Sequence, residues 1–431
     1  MSIRRFLATY FRLAAEDRFL LLYLGLNYFL TLVSYGLIRA SSQGLFLQFY
    51  SADDLPDVWL WSVLFIAVTV FVYNKLVRRL LFLQLYLATL LFFLIDLAVL
   101  WLAIAANYGP AALIFYIWKD IHIVILVEQI WSLANTTFNS EKAKGCYGLL
   151  AATGGLGAIT GNLLASCLPT SIGTLNSVVV AVVILSVLAL IQTGMLRHTH
   201  LLKVSQMRAQ ALKQQVTPRG GLRLILGSRY LLLLSSIVLC TQVVIVIIDY
   251  LYLHLLETMV TDLDRRTQII GMIYSAVNIV TLVLQVIIAS PLLRYLGLTF
   301  GLLLYPGVIL CATITNLIMT CFATVLVLKI SAKSLDYSLF RVAKELLYIP
   351  LDYEHKYKAK AFIDMFLYRF AKAPASLLLK GLLLIFGAGH LSVFFGAILA
   401  VTVLWITAVL ELTRLRRSAS GTRVGSTKAP P

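Results

Sequence analysis

FLLLYLGLNYFLTLVSYGLI, residues 19–38, decides the fold. It is an uncharged run of the length needed to cross a hydrocarbon core of about 30 Å as a helix rising 1.5 Å per residue. Arg4, Arg5, Arg12 and Arg18 precede it. A cleaved signal would be shorter and end in a small-x-small site, so this run reads as a retained signal anchor.

Working outward, runs of the same kind recur along the chain. The expected spans are 19–38, 58–74, 80–104, 111–135, 148–167 and 176–196 in the first half. In the second half they are 229–252, 268–290, 296–315, 319–348, 361–386 and 391–411. Composition agrees: 60% of the 431 residues are hydrophobic and only 13% charged, against about 25% charged in soluble domains. Twelve helices in an all-α membrane protein is therefore the expected fold class.

The net charge of +17 raises nucleic-acid binding, but that function needs cations gathered on one soluble face. Here they sit in short loops between apolar runs, as cytoplasmic loops do. Lys75, Arg78 and Arg79 follow the second span, and Lys142 and Lys144 the fourth; Arg294, Lys356, Lys358, Lys360, Arg414, Arg416 and Arg417 continue the series. The alternate loops 39–57 and 253–267 are read as nearly free of cations, the first carrying Asp53, Asp54 and Asp57 and the second Glu257, Asp262 and Asp264. Both termini are thus expected in the cytoplasm, with the protein in the plasma (inner) membrane as a monomer. The basic linker 197–228 separates an N-terminal bundle, 1–196, from a C-terminal bundle, 229–417. This six-plus-six layout is the major-facilitator plan. The small, polar tail 418–431 is expected to be disordered.

Charges inside spans are costly, by about 2.5–3.5 kcal/mol each at mid-bilayer on insertion scales. Those in spans four, ten and eleven are aligned. Lys329, Lys333, Asp336, Phe340 and Lys344 step by four, three, four and four residues, which places them on one helical stripe, with Arg341 and Glu345 beside it. Asp364, Tyr368 and Lys372 share a face flanked by Arg369, and Asp120, Val124, Glu128, Trp131 and Asn135 share another. Such stripes belong against the bundle interior or water. Mutual neutralisation explains Arg341, Lys344 and Glu345 as well as a site does. Lys380 and Asp249 are read as snorkelling to an interface. Lys329, Lys333 and Lys372 outnumber adjacent carboxylates, which fits a visiting anion; phosphates call for several positive donors.

His122 is read as a hydrogen-bonded interior histidine. Gly154, Gly155, Gly157 and Gly161, within GLLAATGGLGAITGN, fall inside an apolar helix and read as close-packing positions. Pro374 is expected to kink span eleven. The five cysteines are scattered, implying neither disulfides nor a metal site, and no cofactor is expected. No nucleophile–base–orienter set stands out, so the chain does not read as an enzyme.

The stretch AKELLYIPLDYEHKYKAKAFID, Ala343 to Asp364, followed by Lys372, resembles a segment of the non-mitochondrial ATP/ADP translocases. VEQIWSLAN, Val127 to Asn135, with EKAKGCYGLL and Gly161-Asn162, is similar to the same family's glutamate-tryptophan helix and following loop. The resemblance implies a twelve-span nucleotide exchanger that binds ATP and ADP. By position it implies roles for Glu128, Lys344, Glu345 and Lys372. The assignment is then a substrate set of Lys329, Lys333, Lys344, Arg369 and Lys372, with Asp120, Glu128, Asp336, Glu345 and Asp364 for coupling or gating. One motif departs: where the family has R-x-x-K-D, this chain has Arg39, then Ser42 and Gln43 at the lysine and aspartate positions. Two alternatives stand beside nucleotide exchange. One is a proton-coupled carrier with Glu128, Asp120 and His122 as relay; the other is a non-transporting scaffold or sensor whose stripes are internal salt bridges.

Overall fold

The computed structural model describes residues 15–77, 82–138, 140–196, 221–349, 351 and 362–425. The linker residues 197–220 and the motif lysines Lys356, Lys358 and Lys360 lie outside them. The described chain is almost wholly helical. We label α1 Ala15–Phe49, α2 Leu55–Val77, α3 Phe82–Ala105, α4 Gly109–Thr137, α5 Ser140–Ile172 and α6 Thr174–Leu196. Then follow α7 Arg229–Met259, α8 Leu263–Val283 with its continuation Ala289–Tyr295, and α9 Gly297–Ile318. α10 runs in two pieces, Phe322–Leu335 and Arg341–Leu347; α11 comprises Tyr368–Phe370 and Lys372–Phe386; α12 is Leu391–Gly425.

Ten helices among the described residues are long and apolar enough to cross a membrane. α10 and α11 are not in that set, because charges and breaks interrupt them. π-turns occupy Asp336–Phe340 and Phe362–Leu367, a geometry that widens a helix by one residue and recurs at functional sites. Apolar side chains such as Phe71, Leu190 and Leu384 are 71–77% exposed. In water that surface would be a liability, and in lipid it is the required one.

Three expectations change here. α1 continues to Phe49, so Arg39 to Phe49 are helix rather than the loop expected from 39. The segment 253–267 also contains Arg265 and Arg266, so it is not free of cations. Arg266 is buried and spends its guanidinium on the carbonyls of Leu47 and Val260, at 2.8 and 3.0 Å. Finally, α12 carries helix through 418–425, residues that the sequence reading gave to the tail.

The helices gather into two compact units. The first spans Met1–Asp54, Trp61–Val216 and Leu256–Ile279; the second spans Leu55–Leu60, Thr217–Leu255 and Val280–Pro431. Within the first unit α1 packs backbone to backbone on α5. A Cβ at Gly157 would lie 2.3 Å from the Phe29 carbonyl oxygen, and one at Gly161 would lie 2.4 Å from that of Val33. Gly154 lies against the Tyr28 ring, whereas Gly155 faces open space and takes no part. Gly271 of α8 approaches the backbone of Ala165 in the same way. Missing side chains let dispersion contacts form along the whole crossing. One set of buried polar groups is satisfied within itself: Tyr23 bonds Gln192, and Asn27 Oδ1 accepts from Tyr86 and Gln192, each at 3.3 Å.

In the second unit α9 packs against α12, where Tyr305, Phe340 and Trp405 meet edge to face. α11 is interrupted at Ala371. Pro374 therefore falls in the first turn of Lys372–Phe386, where its missing N–H costs little.

Candidate functional site

The charged stripe of α10 enters the second unit as two stations. Asp249 of α7 is the first. Its carboxylate bonds Lys329 through Oδ1 and lies 3.3 Å from Lys333 through Oδ2. Lys329 is 1% exposed, and its ammonium also lies 5.1 Å from the Tyr252 ring centroid. Asp249 therefore does not snorkel to an interface. Two cations, Lys329 and Lys333, converge on this carboxylate. About 15 Å of helix separate Asp249 from the Met259 end of α7, roughly half the hydrocarbon thickness.

The second station is Asp336, at the start of the α10 π-turn. Tyr368 donates to its Oδ2 at 2.8 Å, and the Lys344 ammonium lies 5.4 Å from the Tyr368 ring centroid. Lys333, Lys344 and Arg341 all act electrostatically on Asp336. Lys329, Lys333, Asp336, Phe340 and Lys344 are buried or half-buried, while the flanking Arg341 and Glu345 are exposed. Lys372 of α11 stands 5.2 Å from the centroid of the buried Trp59 ring. The side chains of Asp364 and Arg369 lie outside the described ones. Lys380, read as snorkelling, is half-exposed and pairs with Asp57 at 2.6 Å.

The α4 residues lie in the first unit and form no comparable cluster. Lys119 is buried, bonding its neighbour Asp120 at 3.1 Å and the Tyr116 carbonyl at 3.0 Å. Glu128 and Asn135 are exposed. His122 is fully buried, stacked on Trp118 with its edge toward Phe93. Neither of its nitrogens has a hydrogen-bond partner, so the expected hydrogen-bonded histidine is instead an aromatic packing residue. It donates no bond to Asp120 or Glu128, and the three do not form a relay by direct contact.

The first unit also holds a residue that the sequence reading placed in a loop. Arg39 of α1 bonds Asn162 Oδ1 of α5 at 2.9 Å, and its guanidinium carbon lies 3.5 Å from the Tyr274 ring centroid of α8. Gln43, one turn on, donates to the Tyr274 hydroxyl at 3.3 Å. The available signal was that Arg39 opens the altered first-span motif. Among the described residues no group of three or more His, Cys, Asp or Glu is arranged to hold a metal ion.

Long apolar helices with charges paired inside them describe an integral, multi-pass membrane protein. The fold is similar to that of the nucleoside transporter NupG, at a TM-score of 0.63 and 13% identity over 92% of this chain and 98% of that one. It is also similar to the peptide transporter POT in complex with sulfate, at a TM-score of 0.65 and 12% identity over 92% and 95%. TLC ATP/ADP transporter is the family that matches residues 101–415, and the chain belongs to it.

Relatives include ADP,ATP carrier protein 1 of Chlamydia trachomatis serovar D, 27% identical over 51% of this chain and 46% of that protein. The chain thus matches less than half the length of that carrier. The Chlamydia pneumoniae carrier of the same name is 25% identical over 73% of this chain and 68% of its own. The plastidic ATP/ADP-transporter of Solanum tuberosum is 26% identical over 49% and 37%.

Proposed function

We propose that this protein is a secondary carrier that exchanges nucleotides of the ATP/ADP type, or a closely related phosphorylated anion, by alternating access. The observation that carries the reading is the Asp249 station, where Lys329 and Lys333 converge on one carboxylate within the membrane-spanning helix α7. Ionisable residues clustered inside membrane-spanning segments mark a solute or ion pathway. A phosphoryl group accepts from several donors at once. Membership of the ATP/ADP transporter family points the same way.

In this reading Lys329, Lys333, Lys344, Arg369 and Lys372 bind the anion. Asp336, Glu345, Asp364, Asp120 and Glu128 serve coupling or gating. Two bundles of six spans, with both termini in the cytoplasm of a plasma-membrane protein, provide the two access states.

The test is uptake of labelled ADP into liposomes loaded with ATP, beside empty liposomes and a proton-gradient control. Lys333→Ala and Lys372→Ala are expected to abolish uptake while the protein stays folded and monodisperse. Wild-type rates in both variants would sink the assignment. Uptake that follows the proton gradient and ignores internal nucleotide would favour the proton-coupled alternative.

A further inference from the structure

Arg39 is an interior cation with no carboxylate partner among the described residues. It lies about 15 Å from the Phe49 end of α1 at 1.5 Å per residue. Asn162 is about the same distance from the Ile172 end of α5, and Tyr274 about 16 Å from the Leu263 start of α8. Those three ends are gathered on one side of the unit by hydrogen bonds. The Glu257 carboxylate accepts from the Ala52 amide at 2.7 Å, and that of Asp264 accepts from the Thr174 amide at 2.6 Å. Arg39 therefore stands near mid-membrane, at half of a core about 30 Å thick.

Its contacts are all neutral: the Asn162 amide oxygen, and the rings of Tyr274 and Tyr35 at 3.5 and 5.2 Å. Its buried Nε has no hydrogen-bond partner. On the same helical face Gln43 is only 6% exposed, and its Oε1 is also unpartnered. Stacking on Tyr274 and the bond to Asn162 hold the guanidinium plane in place, so its remaining donors are already oriented. A fixed fork of this kind binds an oxyanion without first losing side-chain freedom.

We infer that Arg39 is a further anion-binding residue of the carrier, positioned by Tyr274 and Asn162, and that Gln43 Oε1 accepts a hydrogen bond from the solute bound there. A phosphoryl oxygen would take the Nε–H, and a ligand hydroxyl or amine would meet Gln43. The inference deepens the nucleotide-exchange reading and rests on it for the identity of the anion. It also places the first-span cation at Arg39, in a chain whose family lysine position holds Ser42.

The test is equilibrium binding of ADP, ATP, pyrophosphate and uncharged adenosine to the full chain in lipid nanodiscs. Arg39→Gln is compared with Arg39→Lys, with ligand-free melting measured for each. Arg39→Gln is expected to weaken ADP and pyrophosphate by about tenfold to a hundredfold and to leave adenosine unchanged. Arg39→Lys, which keeps the charge but loses the planar fork, should fall between. Pyrophosphate binding that is lost in Arg39→Gln, without ADP or ATP binding by the wild type, supports the anion subsite and overturns the nucleotide reading. Unchanged anion affinity in Arg39→Gln overturns the subsite, as does an equal loss for adenosine and ADP. Wild-type protein that binds none of the anions overturns both.

Discussion

The two units solve the same problem, holding helices together in lipid, by different means. In the first, α1 and α5 touch backbone to backbone through Gly157 and Gly161, and most interior polar groups are neutral, as in the set Tyr23, Asn27, Tyr86 and Gln192. In the second, Gly307, Gly381 and Gly396 face open space. There α7 and α10 are joined instead by Asp249, Lys329 and Lys333, and α10 and α11 by Asp336 and Tyr368. Shape packing is cheap in a membrane because it leaves no charge desolvated. Charge pairing is expensive and useful, since a cation released from its carboxylate can take an anion in its place. Neither rule is absolute. The first also holds Arg266, the Lys119–Asp120 pair and an Arg39 with no carboxylate partner among the described residues, and the second packs aromatic rings at Tyr305 and Trp405.

The contrast can be broken most directly at Asp249. Asp249→Asn leaves Lys329 and Lys333 without their shared carboxylate, and a stability loss of about 3–5 kcal/mol is expected. It would be read as a fall in the melting temperature of the purified protein. Adding Lys329→Met should recover much of that loss, because it removes the buried charge. A single variant that melts like the wild type would mean that charge does not hold α7 to α10.

A smaller effect sharpens the other side. Gly161→Ala drives a methyl group into the Val33 carbonyl and should cost about 1–3 kcal/mol. Gly155→Ala, with nothing within 4 Å, should stay within about 0.5 kcal/mol of wild type. Equal melting of the two would contradict shape packing. Smallest of all is Lys380→Ala. Its partner Asp57 and Lys380 itself are half-exposed, so about 0.2–1 kcal/mol is expected. A larger fall in a urea or thermal titration would show that this edge pair matters more than its exposure implies.

Particular residues mark how far the sequence could be read. The spacing of Lys329, Lys333, Asp336 and Lys344 was enough to put them on one face, because a helix repeats every 3.6 residues whatever surrounds it. The packing role of Gly157 and Gly161 was equally legible, since small residues at that spacing have few other uses in an apolar helix. Gly155 belonged to the same run and was misread, because spacing does not say which side the neighbour occupies. Asp249 was misread for a related reason. A lone carboxylate near the end of an expected span looks like an interfacial residue until its partners, some 80 residues away, are in view.

What the sequence alone determined is the membrane, the helices and the presence of charge within them. Those follow from local quantities: apolar run length, charge density and helical period. The π-turn at Asp336, the pairing of Asp249 with two lysines and the interior position of Arg39 were decided only in three dimensions. Arg39 shows the reason. Hydropathy ends the first span at Ile38, where the first charge appears, yet α1 continues to Phe49 because Tyr274 and Asn162 provide that guanidinium with a place inside. Whether a charge ends a helix or lies buried within it depends on contacts supplied by other helices, and no local window contains them.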